Sequence, residues 1–368
     1  PPVPAPAAPP MVAEAPPAPP PVAQPPAPPA ALDVPPPQAT VPTPAPPRVV
    51  QPYPQPPAGT PAQAPATAPV EAGTPSAGGI RVWWAAGERV EVEVPAFLGR
   101  TNIWEIFTRV FGAGPWLTML HGFPTSSWDW EKVSALVSAR NRLLIPDLLG
   151  FGDSDKPWGH DWSAFEQADI IEALWQHYEV TETRVIAHDV GMTVALELMA
   201  RQEEGRLRTR ITDFTLLNGG VYAGFHRPRP IQVWLQRPVV GALIARRLSE
   251  ARFGPSLAEI FGPAHQPTAD ELHQHWLAVE KREGGRNYHR LIKYIPERRA
   301  NAPRWEGALE KTTTPIRFVW GMADPVSGAH MVQVIRERRP GADIVELADV
   351  GHYPQLEAPE EVARALLR

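Results

Sequence analysis

The chain contains 368 residues with a net charge of −5 and no cysteine. The mild charge gives no reason to expect nucleic-acid binding, and the lack of cysteine excludes a disulfide framework and a thiolate metal site. No apolar run is long enough to cross a bilayer, so membrane association is not indicated. Because the chain begins at Pro1 rather than at a methionine, an upstream signal or anchor is left open, and the compartment is not determined.

Residues 1–79 are rich in proline and alanine and hold 30 of the 48 prolines. This composition has no apolar periodicity, which predicts a disordered arm with polyproline II character. A spacer is favoured over a specific ligand because PxxP motifs alone are weak signals, and a protein partner for the arm is the alternative. The remaining stretch of about 290 residues is enough for one α/β domain with an insertion.

From residue 80 onward, short apolar runs alternate with stretches of helical spacing. Strands are predicted at 89–94, 101–110, 115–120, 141–145, 184–187, 211–217, 315–320 and 343–347. Helices are predicted at 129–139, 163–178, from Asp189 to about Glu203, and at 359–368. This rhythm is typical of a mostly parallel, doubly wound sheet.

The alternation of strands and helices ends between residues 221 and 305, where arginine, proline and tryptophan are frequent and no strand is evident. Thr268 and Glu271 have the spacing of a capping box, which predicts the start of a helix. We therefore expect a helical cap at 221–305, inserted after the sixth strand. The core is expected to consist of residues 80–220 and 306–368.

One turn carries a special signal. The apolar run ending at Ala187 meets His188 and Asp189, and Gly191 opens a helix-like stretch. A strand that turns sharply into a helix between two small residues presents the side chain at its apex. Here the apex is Asp189, whose carboxylate can attack an electrophilic carbon and form an ester on its own oxygen.

Two further acid–base residues, Asp324 and His352, follow later strands. The order nucleophile, acid, histidine is that of α/β-hydrolases, and loops at the carboxyl ends of parallel strands converge on one crevice. We predict that Asp189 attacks, His352 activates water, and Asp324 orients the imidazole. The backbone N–H groups of Phe123 and Val190 are the predicted oxyanion hole.

Three motifs resemble the haloalkane dehalogenase and epoxide hydrolase branch of the α/β-hydrolases: His121-Gly122-Phe123-Pro124, residues 147–157, and His188-Asp189-Val190-Gly191. The chain is more closely similar to the mesoderm-specific transcript group, from about residue 80 onward and including the cap. That likeness is carried by residues 121–130, 154–157, 218–220, 226–228, 261–263, 304–309 and 352–357. The resemblance implies an α/β-hydrolase fold and a hydrolase whose substrate is open.

Two sequence features weaken a dehalogenase assignment. Members of that family hold the halide with a tryptophan after the nucleophile and a second donor. Here Val190 follows the nucleophile, and the loop after His121-Gly122 offers Phe123. Neither side chain can donate a hydrogen bond to a halide.

The epoxide hydrolase resemblance implies two cap tyrosines that protonate the opening oxygen. Tyr288 resembles the second of them, whereas Trp234 stands where the first is expected. An indole N–H donates a hydrogen bond but is not an acid near neutral pH. Tyr222 and Tyr294 are possible substitutes, although a packing role is as well supported for each.

Other polar residues of the cap give weaker signals. No carboxylate pattern of a metal site accompanies its histidines, so no metal is predicted. The arginines are interpreted as a solvated face, with an anionic substrate or a lipid surface as alternatives: Arg227, Arg229, Arg237, Arg246 and Arg247.

The sequence thus predicts a hydrolase with an aspartate nucleophile that acts on small to medium apolar substrates with water as co-substrate. Epoxides are the favoured class and haloalkanes the alternative, and no cofactor is expected. A catalytically silent protein that uses the fold to bind partners is the third hypothesis.

Overall fold

A computed structural model describes residues 78–96 and 99–368. The predicted proline-rich arm lies outside the described residues, apart from Gly78 and Gly79. Within the described part of the chain, no helix is long and apolar enough to cross a membrane.

The core is one eight-stranded sheet with the order β1-β2-β4-β3-β5-β6-β7-β8. Its strands are β1 Glu88–Pro95, β2 Thr101–Gly112, β3 Trp116–Leu120, β4 Arg142–Pro146, β5 Glu182–Ala187, β6 Arg210–Leu217, β7 Ile316–Gly321 and β8 Asp343–Leu347. The first two strands pair antiparallel with each other, β2 pairs antiparallel with β4, and every later pairing is parallel. The predicted mostly parallel sheet is confirmed, and each predicted strand lies within two residues of an observed one.

The helices flank the sheet or form the cap. They are α1 Gly79–Ala85, α2 Glu131–Val137, α3 Ala164–His177, α4 Val190–Glu203, α5 Pro230–Leu235, α6 Pro238–Arg246, α7 Glu250–Ala258, α8 Ala269–Glu280, α9 Tyr288–Leu291, α10 Tyr294–Ala300, α11 Ala302–Lys311, α12 Ala329–Arg338, α13 Pro354–Glu357 and α14 Pro359–Leu366. Short 3-10 turns occupy Ser127–Trp130, Ala223–Phe225 and the irregular segment Lys281–Asn287.

The helix that follows the candidate nucleophile is buried along most of its length. Residues Val190 to Arg201 of α4 are all shielded from solvent, because α3 and α11 cover the sides that the sheet leaves open. On this helix the buried Glu197 accepts hydrogen bonds from Arg201, Arg304 and the Trp305 indole. A buried carboxylate is tolerated only when it is paired and hydrogen-bonded. This cluster therefore anchors α4, and with it the turn at its start.

The cap consists of the helices between β6 and β7. Its longest helix, α8, begins with the predicted capping box, in which the Thr268 hydroxyl accepts from Glu271 N–H at 3.2 Å. The predicted cap boundary at residue 305 falls inside α11, a helix that packs on α4 of the core. The sequence did not predict α1, which contacts the cap where Ile80 N–H donates to Gln274 at 3.0 Å.

Candidate active site

Asp189 lies at the junction of β5 and α4, with φ of 45° and ψ of −104°. Residues other than glycine rarely adopt a positive φ, so contacts with the surrounding structure have to hold this backbone in place. The Asp189 N–H donates to Asn218 O at 3.0 Å, and His188 N–H donates to Leu120 O at 3.0 Å. The ends of β3, β5 and β6 thus hold the turn in the strained conformation that the sequence pattern indicates.

Gly191 explains why the turn needs a small residue after its apex. A Cβ at this position would lie 2.6 Å from both His121 O and Leu120 O. No side chain fits at that distance, so the start of α4 can approach the end of β3 only with glycine. This close approach brings the loop at Phe123 to the Asp189 side chain.

The Asp189 carboxylate has donors from both the core and the cap. Phe123 N–H donates to Oδ2 at 3.1 Å, and the Tyr294 hydroxyl lies 3.2 Å from each carboxylate oxygen. Val190 N–H, the second predicted oxyanion donor, directly follows Asp189, but the described residues show no hydrogen bond from it to the carboxylate. The structure therefore brings one of the two predicted backbone donors to this group.

His352 and Asp324 come together on the adjacent strand ends. The His352 Nδ1 atom lies 2.7 Å from Asp324 Oδ2, and both side chains are buried. Asp324 also accepts hydrogen bonds from Asn218 Nδ2 at 2.9 Å, Ser327 Oγ at 2.7 Å and Val326 N–H at 2.7 Å. A carboxylate with this many donors is held in one orientation, which in turn fixes the imidazole ring.

Electrostatics favour the charged form of this pair. Burial lowers the pKa of His352, but the ionised Asp324 outweighs it and, together with Asp189, raises the pKa of His352 to about 9. Burial opposes ionisation of Asp324 as well, yet His352 and the hydrogen bonds lower the pKa of this acid. The His188 Nε2 atom lies 2.8 Å from His352 O, so the residue next to Asp189 contacts the histidine of this pair.

An apolar cavity of about 390 Å³ opens from this site under the cap. Phe123, Tyr288 and His352 contribute to its wall on the side of the core. Asp189 is 2% exposed and contacts that wall through the Phe123 N–H. The opposite wall consists largely of aliphatic and aromatic side chains from the cap: Ile231, Leu235, Ile244, Leu248, Phe253 and Leu257.

Two of the four candidate cap aromatics lie at the site. The Tyr294 hydroxyl contacts Asp189 as described, and the Tyr288 hydroxyl donates to Pro124 O at 2.7 Å beside the cavity. Both rings pack on Phe123, with centroids 6.1 and 5.2 Å away. Burial raises the pKa of both tyrosines well above the ordinary value, so both keep their protons.

The structure does not bring the other two aromatics to Asp189. Trp234 is half-exposed on the cap, faces Arg237 at 5.3 Å, and does not line the cavity. Tyr222 is fully buried, but its ring lies 5.9 Å from Arg338, and its hydroxyl has no hydrogen-bond partner among the described residues. Their position along the chain gave no information on where the cap folds them.

Sequence reasoning missed Arg298, which contacts Asp189 from α10. Its guanidinium donates to Asp189 O at 3.2 Å and to the Thr193 hydroxyl at 2.5 and 2.9 Å. It also lies 5.1 Å from the ring of Tyr294, one helical turn earlier. The spacing of Tyr294 and Arg298, which places both on one face of a helix, was the available signal.

The described residues include no cluster of three or more histidine, aspartate or glutamate side chains suited to a metal ion. The cap histidines His273 and His275 instead lie near the carboxylates of Glu250, at 2.6 Å, and Asp129, at 3.7 Å. What the site offers is a carboxylate at a strained turn, a backbone donor, an imidazole–carboxylate pair and a buried phenol. These groups belong to nucleophilic and acid–base chemistry.

A strained strand-to-helix turn, a histidine–acid pair on the following strand ends and a helical cap define the class of capped α/β-hydrolases. The chain matches the family described as "Alpha/beta hydrolase family" over residues 119–365, and it belongs to that family.

Two relatives share much of the sequence. The protein named "Putative hydrolase LipZ" of Mycobacterium tuberculosis is 39% identical over 268 residues, which cover 73% of this chain and 92% of that protein. The mesoderm-specific transcript homolog protein of Homo sapiens is 37% identical over 257 residues, which cover 68% of this chain and 77% of that protein. The resemblance to this group is therefore confirmed.

More distant relatives represent the two enzyme classes of the predicted branch. An epoxide hydrolase of Caballeronia sordidicola is 26% identical over 299 residues, covering 70% of this chain and 88% of that protein. A haloalkane dehalogenase of Mycolicibacterium paratuberculosis is 27% identical over 266 residues, covering 69% and 83%. The crystal structure of an α/β-hydrolase fold protein from Burkholderia ambifaria has the same fold, with a TM-score of 0.59 and 24% identity over 76% of this chain and 99% of that one.

Proposed function

We propose that this α/β-hydrolase opens epoxides with Asp189 as a covalent nucleophile. The observation that carries the proposal is the surroundings of the Asp189 carboxylate, which has Phe123 N–H on one oxygen and the Tyr294 hydroxyl 3.2 Å from both. Opening an epoxide needs a nucleophile and a proton donor at the same place. Tyr294 provides the donor that the haloalkane reaction does not require.

In the first step an Asp189 oxygen forms a bond to a ring carbon, and the bond from that carbon to the ring oxygen breaks. The electron pair moves to the ring oxygen, which takes a proton from the Tyr294 hydroxyl. Because burial keeps the pKa of Tyr294 high, the phenolate that forms is a strong base and regains a proton from water. Tyr288, on the cavity wall, is the second candidate donor, and its hydroxyl would turn from Pro124 O to the opening oxygen when the substrate binds.

In the second step His352 removes a proton from water, and the water oxygen attacks the ester carbon of Asp189. Negative charge then develops on the former carbonyl oxygen, which Phe123 N–H is positioned to receive. Asp324 stabilises the imidazolium that forms. Collapse of the adduct releases a diol and leaves one water-derived oxygen on Asp189.

The charge of Asp189 also affects the pKa of His352, and therefore whether His352 can act as a base in the second step. In the free protein this charge helps to raise the pKa of His352, which favours a protonated ring. Formation of the ester removes the charge, so the pKa of His352 falls when a neutral base is needed. The same carboxylate therefore attacks first and frees the base afterwards.

The apolar wall supports a small to medium apolar substrate. A cavity of about 390 Å³ is in the usual range for small-molecule sites. The two alternatives are a haloalkane, which the covalent step also suits, and a silent protein without turnover. The alternatives differ in what becomes attached to Asp189 and in what is released.

Adduct trapping tests the proposal. The His352→Ala protein is incubated with terminal alkyl epoxides and with 1-chloroalkanes of matched chain length, and its intact mass is measured. We expect an increase equal to the whole epoxide, mapped to the peptide that contains Asp189. A gain of only an alkyl group, from the chloroalkanes alone, would favour the dehalogenase alternative.

The control is Asp189→Asn/His352→Ala, which should take up no label. If the folded His352→Ala protein gains no mass across the panel, and His352→Gln behaves in the same way, the covalent proposal is wrong. A second readout is single turnover in ¹⁸O-labelled water, in which the label should enter Asp189 before it appears in the diol on later turnovers.

A further inference from the structure

The helices α5 and α6 expose more apolar surface than any comparable stretch of the described chain. Twelve large apolar side chains are exposed among all the described residues, and six of the twelve lie within residues 231–243. They are Ile231, Val233, Trp234, Val239, Val240 and Leu243. Val239 is 82% exposed, Trp234 50% and Leu243 49%. Large exposed apolar patches are typical of protein–protein and membrane interaction sites.

Packing within the cap does not account for these side chains. In the two helices together, only Leu235, Gly241 and Ala245 are buried. The two helices contact each other, so their outer faces form one surface, here called the α5–α6 face. The face is covered by no other described part of the chain.

The charge of this segment is the opposite of that of the whole protein. Residues 214–249 contain five arginines but no lysine, aspartate or glutamate, whereas the chain as a whole carries −5. Arg237, Arg246 and Arg247 are exposed and form no ion pair with a carboxylate among the described residues. By contrast, Arg229 at the edge of the cavity is paired with Glu259.

We propose that the α5–α6 face docks on a lipid surface that carries anionic headgroups. Helices that lie in a membrane interface combine a tryptophan and aliphatic side chains with arginines at their polar edge. Arginines near an anionic leaflet are attracted to it without needing a matched pattern of partners. The Arg237 guanidinium lies 5.3 Å from the Trp234 ring, which puts a charge and an indole at the same depth.

The position of the cavity fits this partner. Ile231, Leu235 and Ile244 line the cavity from the same two helices that form the face, and Arg247 follows directly at its edge. Docking would therefore place this wall of the cavity against the lipid. An apolar molecule dissolved in the acyl layer would then have a short path to the cavity. The docking itself does not rest on the proposed chemistry, since it needs no turnover.

Vesicle sedimentation with the full chain tests the proposal. Vesicles of phosphatidylcholine alone are compared with vesicles that also contain phosphatidylglycerol, at low and at high salt. We expect binding to the anionic vesicles that weakens as salt is added, because ions screen the arginines. We expect at least tenfold weaker partitioning to phosphatidylcholine alone.

Two sets of matched substitutions locate the surface. The first compares the apolar triple variant Trp234→Ser/Val239→Ser/Leu243→Ser with the control Trp158→Ser/Ile103→Ser/Leu136→Ser, whose residues are similarly exposed elsewhere. The second compares Arg237→Glu/Arg246→Glu/Arg247→Glu with the control Arg81→Glu/Arg100→Glu/Arg140→Glu, which changes the net charge equally. Each α5–α6 set should lower the partition coefficient at least tenfold, and each control less than twofold.

Three outcomes overturn the proposal. They are no binding to either kind of vesicle, equal loss in the variants and their controls, and a concentration-dependent dimer that the apolar triple variant dissociates. The last outcome would assign the face to a second copy of the chain. Since all substitutions are at exposed positions, thermal unfolding should change little, and the arginine set remains decisive if the apolar set unfolds.

Discussion

The core side and the cap side of the site are built in different ways. On the core side, Asp324 accepts from three side chains and one backbone N–H, so His352 has a single orientation. On the cap side, the Tyr294 hydroxyl contacts the Asp189 carboxylate, the Arg298 guanidinium donates to Asp189 O, and the α5–α6 face is largely unpacked. Further hydrogen bonds join the cap to the core, among them Tyr288 to Pro124 O and His352 N–H to Ile260 O, so the difference lies in the exposed outer helices of the cap. In the proposed reaction, the core would supply the nucleophile and the base, while the cap would supply the proton donor and most of the cavity wall.

The largest effect is expected for the nucleophile. Asp189→Asn keeps the size and a carbonyl oxygen for Phe123 N–H but removes the attacking charge, so kcat/KM for an epoxide should fall about 10⁴-fold. Thermal unfolding should change little. The control is Asp213→Asn at a half-exposed carboxylate distant from the site. Residual activity within tenfold of the original would show that the core does not act through Asp189.

The loss of the Tyr294 hydroxyl from the cap is expected to have a smaller effect, confined to formation of the ester. Tyr294→Phe removes the proton donor, so formation of the ester should slow about a hundredfold, whereas its hydrolysis should not change. Rapid-quench measurement of both steps checks this. The control is Tyr222→Phe, because this buried hydroxyl has no hydrogen-bond partner among the described residues and lies away from the site. Equal slowing of both steps would show that Tyr294 positions other groups of the site rather than donating a proton.

The pH dependence should distinguish the two steps by a smaller factor. His352 must be neutral to activate water, so ester hydrolysis should rise about tenfold per pH unit below the pKa of His352 and level off above it. In the ester the charge of Asp189 is absent, and the inflection should therefore lie below the value of about 9 in the free protein. Single-turnover rates from about pH 6 to about pH 10 measure it. An inflection at or above the free-protein value would contradict the timing role of Asp189.

The smallest effect concerns the cap alone. Thr268→Ala removes the N-cap of α8 and should lower the free energy of unfolding by about 1 kcal/mol. Because Thr268 does not line the cavity, kcat/KM should not change. Urea denaturation and steady-state kinetics check both. The core counterpart is Ser163→Ala, since Ser163 caps α3 with the same hydrogen bond and should cost a similar amount. A loss of activity in Thr268→Ala would show that the cap and the chemistry are coupled.

The order of the core and the position of the strained turn were predictable because they depend on local patterns. Apolar runs of strand length, small residues around Asp189, and acid–base residues after later strands are all visible along the chain. Parallel strands then bring such residues to one edge without further information. The helix α1 was not predicted, since its short apolar stretch is stabilised by contacts with distant residues rather than by its own sequence.

The cap illustrates what could not be predicted. By position, the four aromatic residues were equal candidates. Only packing decided that Tyr288 lines the cavity and Tyr294 contacts Asp189, while Trp234 and Tyr222 do neither. The role of Arg298 was not predicted, because the residue type does not show whether an arginine side chain is buried or solvated. The direction in which a side chain of a cap helix points depends on which faces of that helix are covered by other elements. This covering is a property of the assembled structure.

By itself, the sequence determined the hydrolase fold and the residues that follow its strands, because strand period, turn chemistry and chain order are local and the sheet brings them together. Only the tertiary structure decided which cap tyrosine contacts Asp189, that Asp324 is fully hydrogen-bonded, and that α5 and α6 expose an apolar and basic face. These features depend on contacts between segments far apart in the chain, and the free energy of such contacts comes from burial and charge pairing that no local pattern records.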